Sequence, residues 1–198
     1  SAVNLPFRNA KKRITDLCEV FGIEYRRGSA IQHAFSGLKR PGQITTIFVN
    51  TYAAAPHRTF EIETIDFILS CLRDATNGSI RLILNAQSRE ALQAVTLLAA
   101  QAFESVEILV RPTLVELFAK ISVCDLVITP DTGTAHVAAL FDVPQVTFYA
   151  DRTYNPIVWH PGSEQVEIIL PKTEGNVNNF DPKDLASALQ RLTLSQLR

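Results

Sequence analysis

From residue 44 onward, short apolar runs alternate with stretches in which apolar residues recur every three or four positions. Ile44 to Val49 is a continuous apolar and β-branched run, the pattern of a strand buried on both faces. Ile62, Ile65, Ile68/Leu69 and Leu72 then repeat at helical spacing, and Asn77-Gly78 closes that helix. Ile80 to Leu84 reads as a second strand. Ser88 can cap a helix carrying Leu92, Val95, Leu98/Ala99 and Phe103. Val106 to Val110 is a third strand, followed by a Thr113-capped helix with Leu114, Leu117, Phe118 and Ile121 as its stripe. Leu126 to Thr129 forms a fourth strand, and a short helix runs to about Phe141. Val146 to Tyr149 and Val166 to Leu170 are strands five and six. Asp181 caps a last helix with Pro182 at its first position and Leu185, Leu189 and Leu192 on its buried side.

Apolar strands separated by amphipathic helices predict parallel β-α-β units with right-handed crossovers, hence an α/β, Rossmann-like, doubly wound parallel sheet over 44–198. Ligands on such sheets bind at the carboxyl ends of the strands, which directs attention to the loops after strands one and four. Residues 1–43 break the rhythm. Ile14, Leu17, Cys18 and Phe21 make one helical stripe closed by Gly22, and Lys39-Arg40-Pro41-Gly42 has the composition of an interdomain linker. The expectation is a connecting helix and linker at 1–43 before the sheet domain.

The loop after strand four is Asp131-Thr132-Gly133-Thr134-Ala135-His136. A helix starting here leaves its first backbone N–H groups without intrahelical partners, and its dipole adds positive potential. Gly133 has no Cβ, so an anion can approach the backbone, while Thr132 and Thr134 add hydroxyl donors. A carboxylate repels phosphate, so Asp131 is expected either to cap the helix or to accept hydrogen bonds from sugar or ribose hydroxyls. His136, one turn in, is expected to be neutral because the dipole disfavours imidazolium. Each feature alone is common in structural turns; their combination after a central strand points to a binding site.

The run Asp131 to Pro144 resembles the Asp-Ser/Thr-Gly-x-x-His-x-Ala-Ala-x-x-x-x-Pro signature of glycosyltransferase family 9, the lipopolysaccharide heptosyltransferases. Leu114-Val115-Glu116-Leu117 and Cys124-Asp125-Leu126-Val127-Ile128-Thr129 resemble the family's run into that signature, and the likeness extends over roughly 44–170. The resemblance implies the C-terminal half of a GT-B enzyme that binds a nucleotide-sugar donor, typically ADP-heptose, without a metal ion or other cofactor. It also implies that an absent N-terminal domain binds the glycolipid acceptor and supplies the catalytic base. On that reading Asp131 contacts donor sugar hydroxyls, and Thr132, Gly133 and His136 hold the diphosphate.

The first loop departs from the family, which has a Lys before an aromatic residue there. This chain has His57-Arg58-Thr59-Phe60, making Arg58 the candidate phosphate partner or else a solvated loop charge, and the two cations differ in geometry. Asn50 and Thr51 are further polar candidates at the end of strand one. Asp151 to Pro156 stands where the family has a polar loop at the cleft. Trp159, the sole tryptophan, either lines the acceptor side or packs.

Composition narrows the alternatives. With 19 Lys plus Arg against 20 Asp plus Glu, the net charge of −1 gives no general attraction to nucleic acid or anionic lipid. Cys18, Cys71 and Cys124 are unpaired and sit at apolar helix positions, as small buried hydrophobes do. No apolar run approaches the ~20 residues of a membrane span, and no signal peptide is expected. The expectation is a cytoplasmic protein, at most peripheral at the inner membrane. The chain opens Ser1-Ala2 and contains no Met, which suggests a processed chain, an excised domain or an expression remnant. No Walker, GxGxxG, GxSxG or HExxH pattern and no metal-ligand spacing is found. Two rivals stand beside a glycosyltransferase donor domain: a non-catalytic nucleotide-binding or scaffolding module, and a metal-free nucleotide-sugar epimerase of related fold.

Overall fold

A computed structural model of the chain describes residues 45–75, 80–88, 105–163 and 165–196, together with Gln93, Ala99 and Phe103. The expected helix and linker at 1–43 lie outside the described residues, as do Ile44, Asn77-Gly78 and the stripe positions Leu92, Val95 and Leu98.

The described strands are β1 (Thr45–Asn50), β2 (Ile80–Ala86), β3 (Ser105–Val110), β4 (Leu126–Pro130), β5 (Gln145–Phe148) and β6 (Val166–Ile169). They form one six-stranded sheet in the order β3-β2-β1-β4-β5-β6, every neighbouring pair parallel. The helices bounded within the described residues are α1 (Ile62–Ala75), α2 (Leu114–Ile121), α3 (Gly133–Leu140), α4 (Asn155–Val158) and α5 (Pro182–Gln196). Strand order reverses between β1 and β4, the position where a doubly wound sheet opens a crevice at its carboxyl edge.

Alternation along each strand sends successive side chains to opposite faces. Ile47, Val49, Leu82 and Leu84 face α1 and α5, where Ile65, Ile68, Leu72, Leu185 and Leu189 cover them. Phe48, Ile83 and Val127 face the other way, against Ile121 of α2 and Val137 and Ala138 of α3. Burial on both faces explains why these strands read as continuous apolar runs. Helix α3 buries Thr134, Ala135, Val137, Ala138 and Ala139, and only Gly133 and His136 are exposed. Its exposed edge is therefore the one that bears the motif.

Several start signals work as the sequence predicts. Thr113 caps α2 in a full capping box with Glu116, whose carboxyl the Thr113 backbone and hydroxyl hydrogen bonds hold below its ordinary pKa. Asp181 Oδ1 accepts from the Lys183 N–H at 3.0 Å at the head of α5. Two short elements are additional: a 3₁₀ turn at Pro56–Arg58 and the four-residue α4. Each has proline at its start, which pre-sets the backbone. Asp151 Oδ1 accepts the N–H groups of Thr153, Tyr154 and Asn155 at 2.9–3.1 Å and so builds the entry to α4.

The segment after β6 returns to brace the loop between β1 and α1. Val177 N–H donates to the His57 carbonyl at 3.1 Å, Asn178 Nδ2 to the Thr59 carbonyl at 3.0 Å, and Glu61 N–H to Asn178 Oδ1 at 2.9 Å. Phe148 sits between Phe60 and Phe180, both edge-on with ring centroids 5.0 Å away. This aromatic stack anchors the loop that carries Arg58 to the centre of the sheet.

Candidate functional site

The turn from β4 into α3 stands at the topological switch point. The Asp131 N–H donates to the Phe148 carbonyl at 2.8 Å, which ties the turn to β5. Thr132 occupies the N-cap of α3 in extended conformation, with no side-chain capping bond. Capping, one of the two roles expected of Asp131, is thus not its place in the structure. The Ala135 N–H is committed to the Thr132 carbonyl at 3.1 Å, leaving the amides of Gly133 and Thr134 to head the helix. A Cβ built on Gly133 meets no atom within 4 Å. The glycine is not demanded by packing; it leaves open space in front of the helix end.

Arg58 approaches this turn from the braced loop. Its Nη1 donates to the Asp131 carbonyl at 3.1 Å and lies 3.6 Å from Asp131 Oδ2. Burial raises the Asp131 carboxyl above its ordinary pKa, while the Arg58 guanidinium and then His136 oppose that shift. Arg58 is therefore neither a solvated loop charge nor a cation free of partners. It neutralises the carboxylate that would otherwise repel an anion at this helix end, and it still has N–H donors on its fork.

The polar side chains beneath the turn form a connected chain. Asn50 Nδ2 donates to the Tyr52 carbonyl (3.0 Å), to Thr132 Oγ1 (3.1 Å) and to Thr129 Oγ1 (3.2 Å). Thr129 directs its hydroxyl proton to the Pro130 carbonyl at 2.8 Å, so the 3.0 Å contact between the two threonine hydroxyls takes its proton from Thr132. Thr132 thus spends internally the donor that was expected to face a ligand. Thr51 is buried and gives its hydroxyl proton to the Asn85 carbonyl at 2.9 Å. Thr134 is also buried, whereas His136 is exposed.

Two cavities meet at this place. The larger, about 430 Å³, runs toward β2 and β3 between the Tyr52–Ala54 loop and apolar walls from Pro112, Leu114, Leu117 and Val137. The smaller, about 260 Å³, lies toward α4 and is lined by His136, Asn155 and Trp159. Arg58, Asp131, Thr132 and Gly133 line both and form the partition. Asn50 and Thr134 belong to the wall of the larger cavity, and Thr51 lines neither. Trp159 is 53% exposed rather than packed in the core.

Behind the smaller cavity, the buried Tyr149 hydroxyl donates to the Trp159 carbonyl at 3.1 Å. Burial, followed by the Asp131 and Asp151 charges, raises its pKa, so it remains a phenol. His160 Nδ1 accepts the Gly162 N–H at 2.9 Å, and burial with His136 nearby lowers its pKa to about 4. Among the described residues, no group of three or more His, Cys, Asp or Glu side chains is arranged to hold a metal ion. No helix among them is long and apolar enough to cross a membrane.

Sequence reasoning missed Asn85, which closes the floor of the larger cavity. It also missed the cavity's apolar walls, which belong to residues read as ordinary helix stripe. The signal for Asn85 was available: Asn is disfavoured in strands, and this one directly follows the apolar residues Leu82, Ile83 and Leu84 of β2.

Comparison with known proteins agrees with this fold. The model of glycosyltransferase family 9 (heptosyltransferase) matches residues 42–189. E. coli heptosyltransferase WaaC with ADP superposes with a TM-score of 0.64 at 16% identity, over 82% of this chain and 49% of that one. E. coli ADP-heptose lps heptosyltransferase II gives 0.64 at 20% identity, over 89% and 54%. A putative UDP-N-acetylglucosamine 2-epimerase from Listeria monocytogenes gives 0.55 at 13% identity, over 88% and 40%. At these identities the superpositions speak for fold, one Rossmann-like half of the GT-B architecture. The chain spans about half the length of these heptosyltransferases. No match is found among curated protein sequences.

Proposed function

The chain belongs to glycosyltransferase family 9, and from that premise we propose that it forms the donor-binding half of a metal-independent glycosyltransferase. The donor is a nucleoside-diphosphate sugar, ADP-heptose by family resemblance, and the acceptor a lipopolysaccharide-core or related glycan. The observation that carries this reading is the partition of Arg58, Asp131, Thr132 and Gly133 between two cavities. A diphosphate sugar has the same three-part plan, with a charged linker between two uncharged ends.

The diphosphate lies against the amides of Gly133 and Thr134 and the Arg58 guanidinium. The nucleoside extends into the larger, apolar cavity, and the sugar into the smaller one beside His136 and Trp159. Asp131 accepts hydrogen bonds from sugar hydroxyls at the partition. In transfer, an acceptor hydroxyl attacks the anomeric carbon and the nucleoside diphosphate departs with the bonding pair. Helix amides and Arg58 stabilise the charge that accumulates on the leaving diphosphate. The catalytic base and the acceptor site come from a facing domain, and work on a glycolipid places the enzyme in the cytoplasm at the inner membrane surface. The 198-residue chain is accordingly expected to bind donor but to turn over poorly or not at all.

The test is calorimetric titration of the chain with ADP, UDP, GDP and CDP, repeated for Arg58→Ala, Asp131→Ala and His136→Ala. Selective binding of one diphosphate, weakened by Arg58→Ala and His136→Ala, is expected. Binding of none of the four would remove the donor-site reading, and robust transfer by the chain alone would remove the assignment of the base to another domain.

A further inference from the structure

Asn85, in the floor of the larger cavity, carries a buried polar atom without a partner. Asn85 is 4% exposed at the carboxyl end of β2, and among the described residues its Oδ1 lacks a hydrogen-bond partner. A buried, unpaired amide oxygen is costly, and in a folded protein it is expected to meet a donor from water or ligand.

The orientation of this amide follows from its neighbours. The Tyr52 carbonyl can only accept, so the Asn50 amide must turn its Nδ2 toward it, as the 3.0 Å contact records. Asn50 Oδ1 is then left facing Asn85, which must supply its own Nδ2, and does so at 3.0 Å. Each amide in the row is fixed by the one before, and the row ends on an acceptor, Asn85 Oδ1. Exchanging O and N at Asn85 would set two oxygens against each other.

The direction of the side chain follows from the sheet. Asn85 shares a strand face with Ile83, which packs with Ile121 and Val137 on the α2–α3 side. The larger cavity opens on that side between Leu117 and Val137, with Asn85 in its floor. β2 stands two strands from β4, a distance of about 10 Å along the edge of the sheet. On the donor-site reading, the nucleoside extends in this direction from the diphosphate at the β4–α3 turn.

We infer that Asn85 is a specificity residue for the nucleoside, its Oδ1 accepting a hydrogen bond from an N–H or O–H group of that nucleoside. The inference rests on the donor-site reading above and extends it to a residue at a different strand end. The two sources of such a donor are an amino group on the base and a hydroxyl of the ribose.

The experiment compares wild type and Asn85→Leu by calorimetry with four probes: ADP, the diphosphate of purine riboside (no 6-amino group), 2′-deoxy-ADP and 3′-deoxy-ADP. Wild type is expected to bind one of the three analogues about tenfold more weakly than ADP, the loss of one neutral hydrogen bond to a buried acceptor. Asn85→Leu is expected to lose about the same factor with ADP and nothing further with that analogue. Loss confined to purine riboside diphosphate identifies the base amine, and loss confined to a deoxy analogue identifies the ribose. An Asn85→Leu protein that binds ADP as wild type does overturns the inference, since Oδ1 then holds only water. Equal loss with every probe also overturns it, leaving Asn85 a support for Asn50. If Asn85→Leu does not fold, Asn85→Ser and the wild-type analogue series decide, and a series without any difference is a refutation. If wild type binds UDP, GDP or CDP in place of ADP, the same comparison with that diphosphate and its deoxy analogues decides. Failure to bind any of the four diphosphates fails the donor-site reading as well, which separates the two cases.

Discussion

Replacing Arg58 by alanine leaves the Asp131 carboxylate, 5% exposed, without its cation. Two unit charges 3.6 Å apart attract by about 1 kcal/mol in water and by about 4–5 kcal/mol at an effective dielectric constant of ~20. The Arg58 side chain is 30% exposed, so water screens the pair and the value falls toward the lower end, about 1–2 kcal/mol. Loss of the Nη1 hydrogen bond to the Asp131 carbonyl adds about 1 kcal/mol that does not depend on pH. Arg58→Ala also pushes the Asp131 pKa further above its ordinary value of 3.8, in the direction burial already drives it. A carboxyl whose folded pKa is raised binds its proton more tightly in the folded state. Stability is therefore greatest below the unfolded value and is lost as pH rises toward the folded one. The cost of Arg58→Ala should be about 2–3 kcal/mol at neutral pH and should shrink toward about 1 kcal/mol near pH ~4. Urea unfolding of both proteins at the two pH values measures this, and the difference cancels titrations they share. In the Asp131→Asn background the pH-dependent part should vanish. An Arg58→Ala cost that is the same at both pH values would refute the ion-pair argument.

Three further outcomes are expected. Gly133→Ala should fold with unchanged stability, or gain up to about 1 kcal/mol, because the new methyl meets open space; yet it should weaken nucleotide binding in calorimetry, because the proposed donor places its phosphates in that space. Trp159 is the sole tryptophan and lines the smaller cavity, so its emission should respond to a diphosphate sugar more than to the matching diphosphate. An equal response to both would place the sugar elsewhere. His160, with its pKa lowered from 6.5 to about 4, stays neutral in the fold while the unfolded chain takes up a proton. Its contribution is present above pH 6.5 and lost as pH falls toward about 4, by about 1–2 kcal/mol after allowance for partial exposure. Acid unfolding of His160→Asn, which keeps an acceptor for Gly162, should show a flatter limb.

Much of the sheet was legible because burial on both faces removes polar positions from the strands. Ile44–Val49 and Leu126–Thr129 announced themselves, and the observed strands differ from those runs by a residue at an end. The β4–α3 turn was legible too, since Asp-Thr-Gly between a strand and an apolar helix is local chemistry. The roles within it were not. Arg58 and Asp131 are 73 residues apart, and nothing in either neighbourhood announces the pairing. The commitment of Thr132 to Thr129 and Asn50 likewise depends on which strands lie side by side. Trp159 illustrates the limit most simply: an indole in a polar loop reads as packing until the short helix that Asp151 nucleates holds it at the cavity edge.

The brace between the segment after β6 and the loop before α1 has a consequence for how the protein comes into being. Glu61 finds its partner in Asn178, 117 positions later, and Phe60 meets Phe180 only through Phe148. A growing polypeptide leaves the ribosome N-terminal end first, so β1 and its loop emerge long before the residues that hold the loop in place. Until Asn178 and Phe180 are synthesised, the loop bearing Arg58 lacks its anchor and Asp131 lacks its cation. On the proposed donor-site reading, nucleotide capture waits for this brace to form, and a ligand that recognises only the braced state shifts the folding equilibrium toward it.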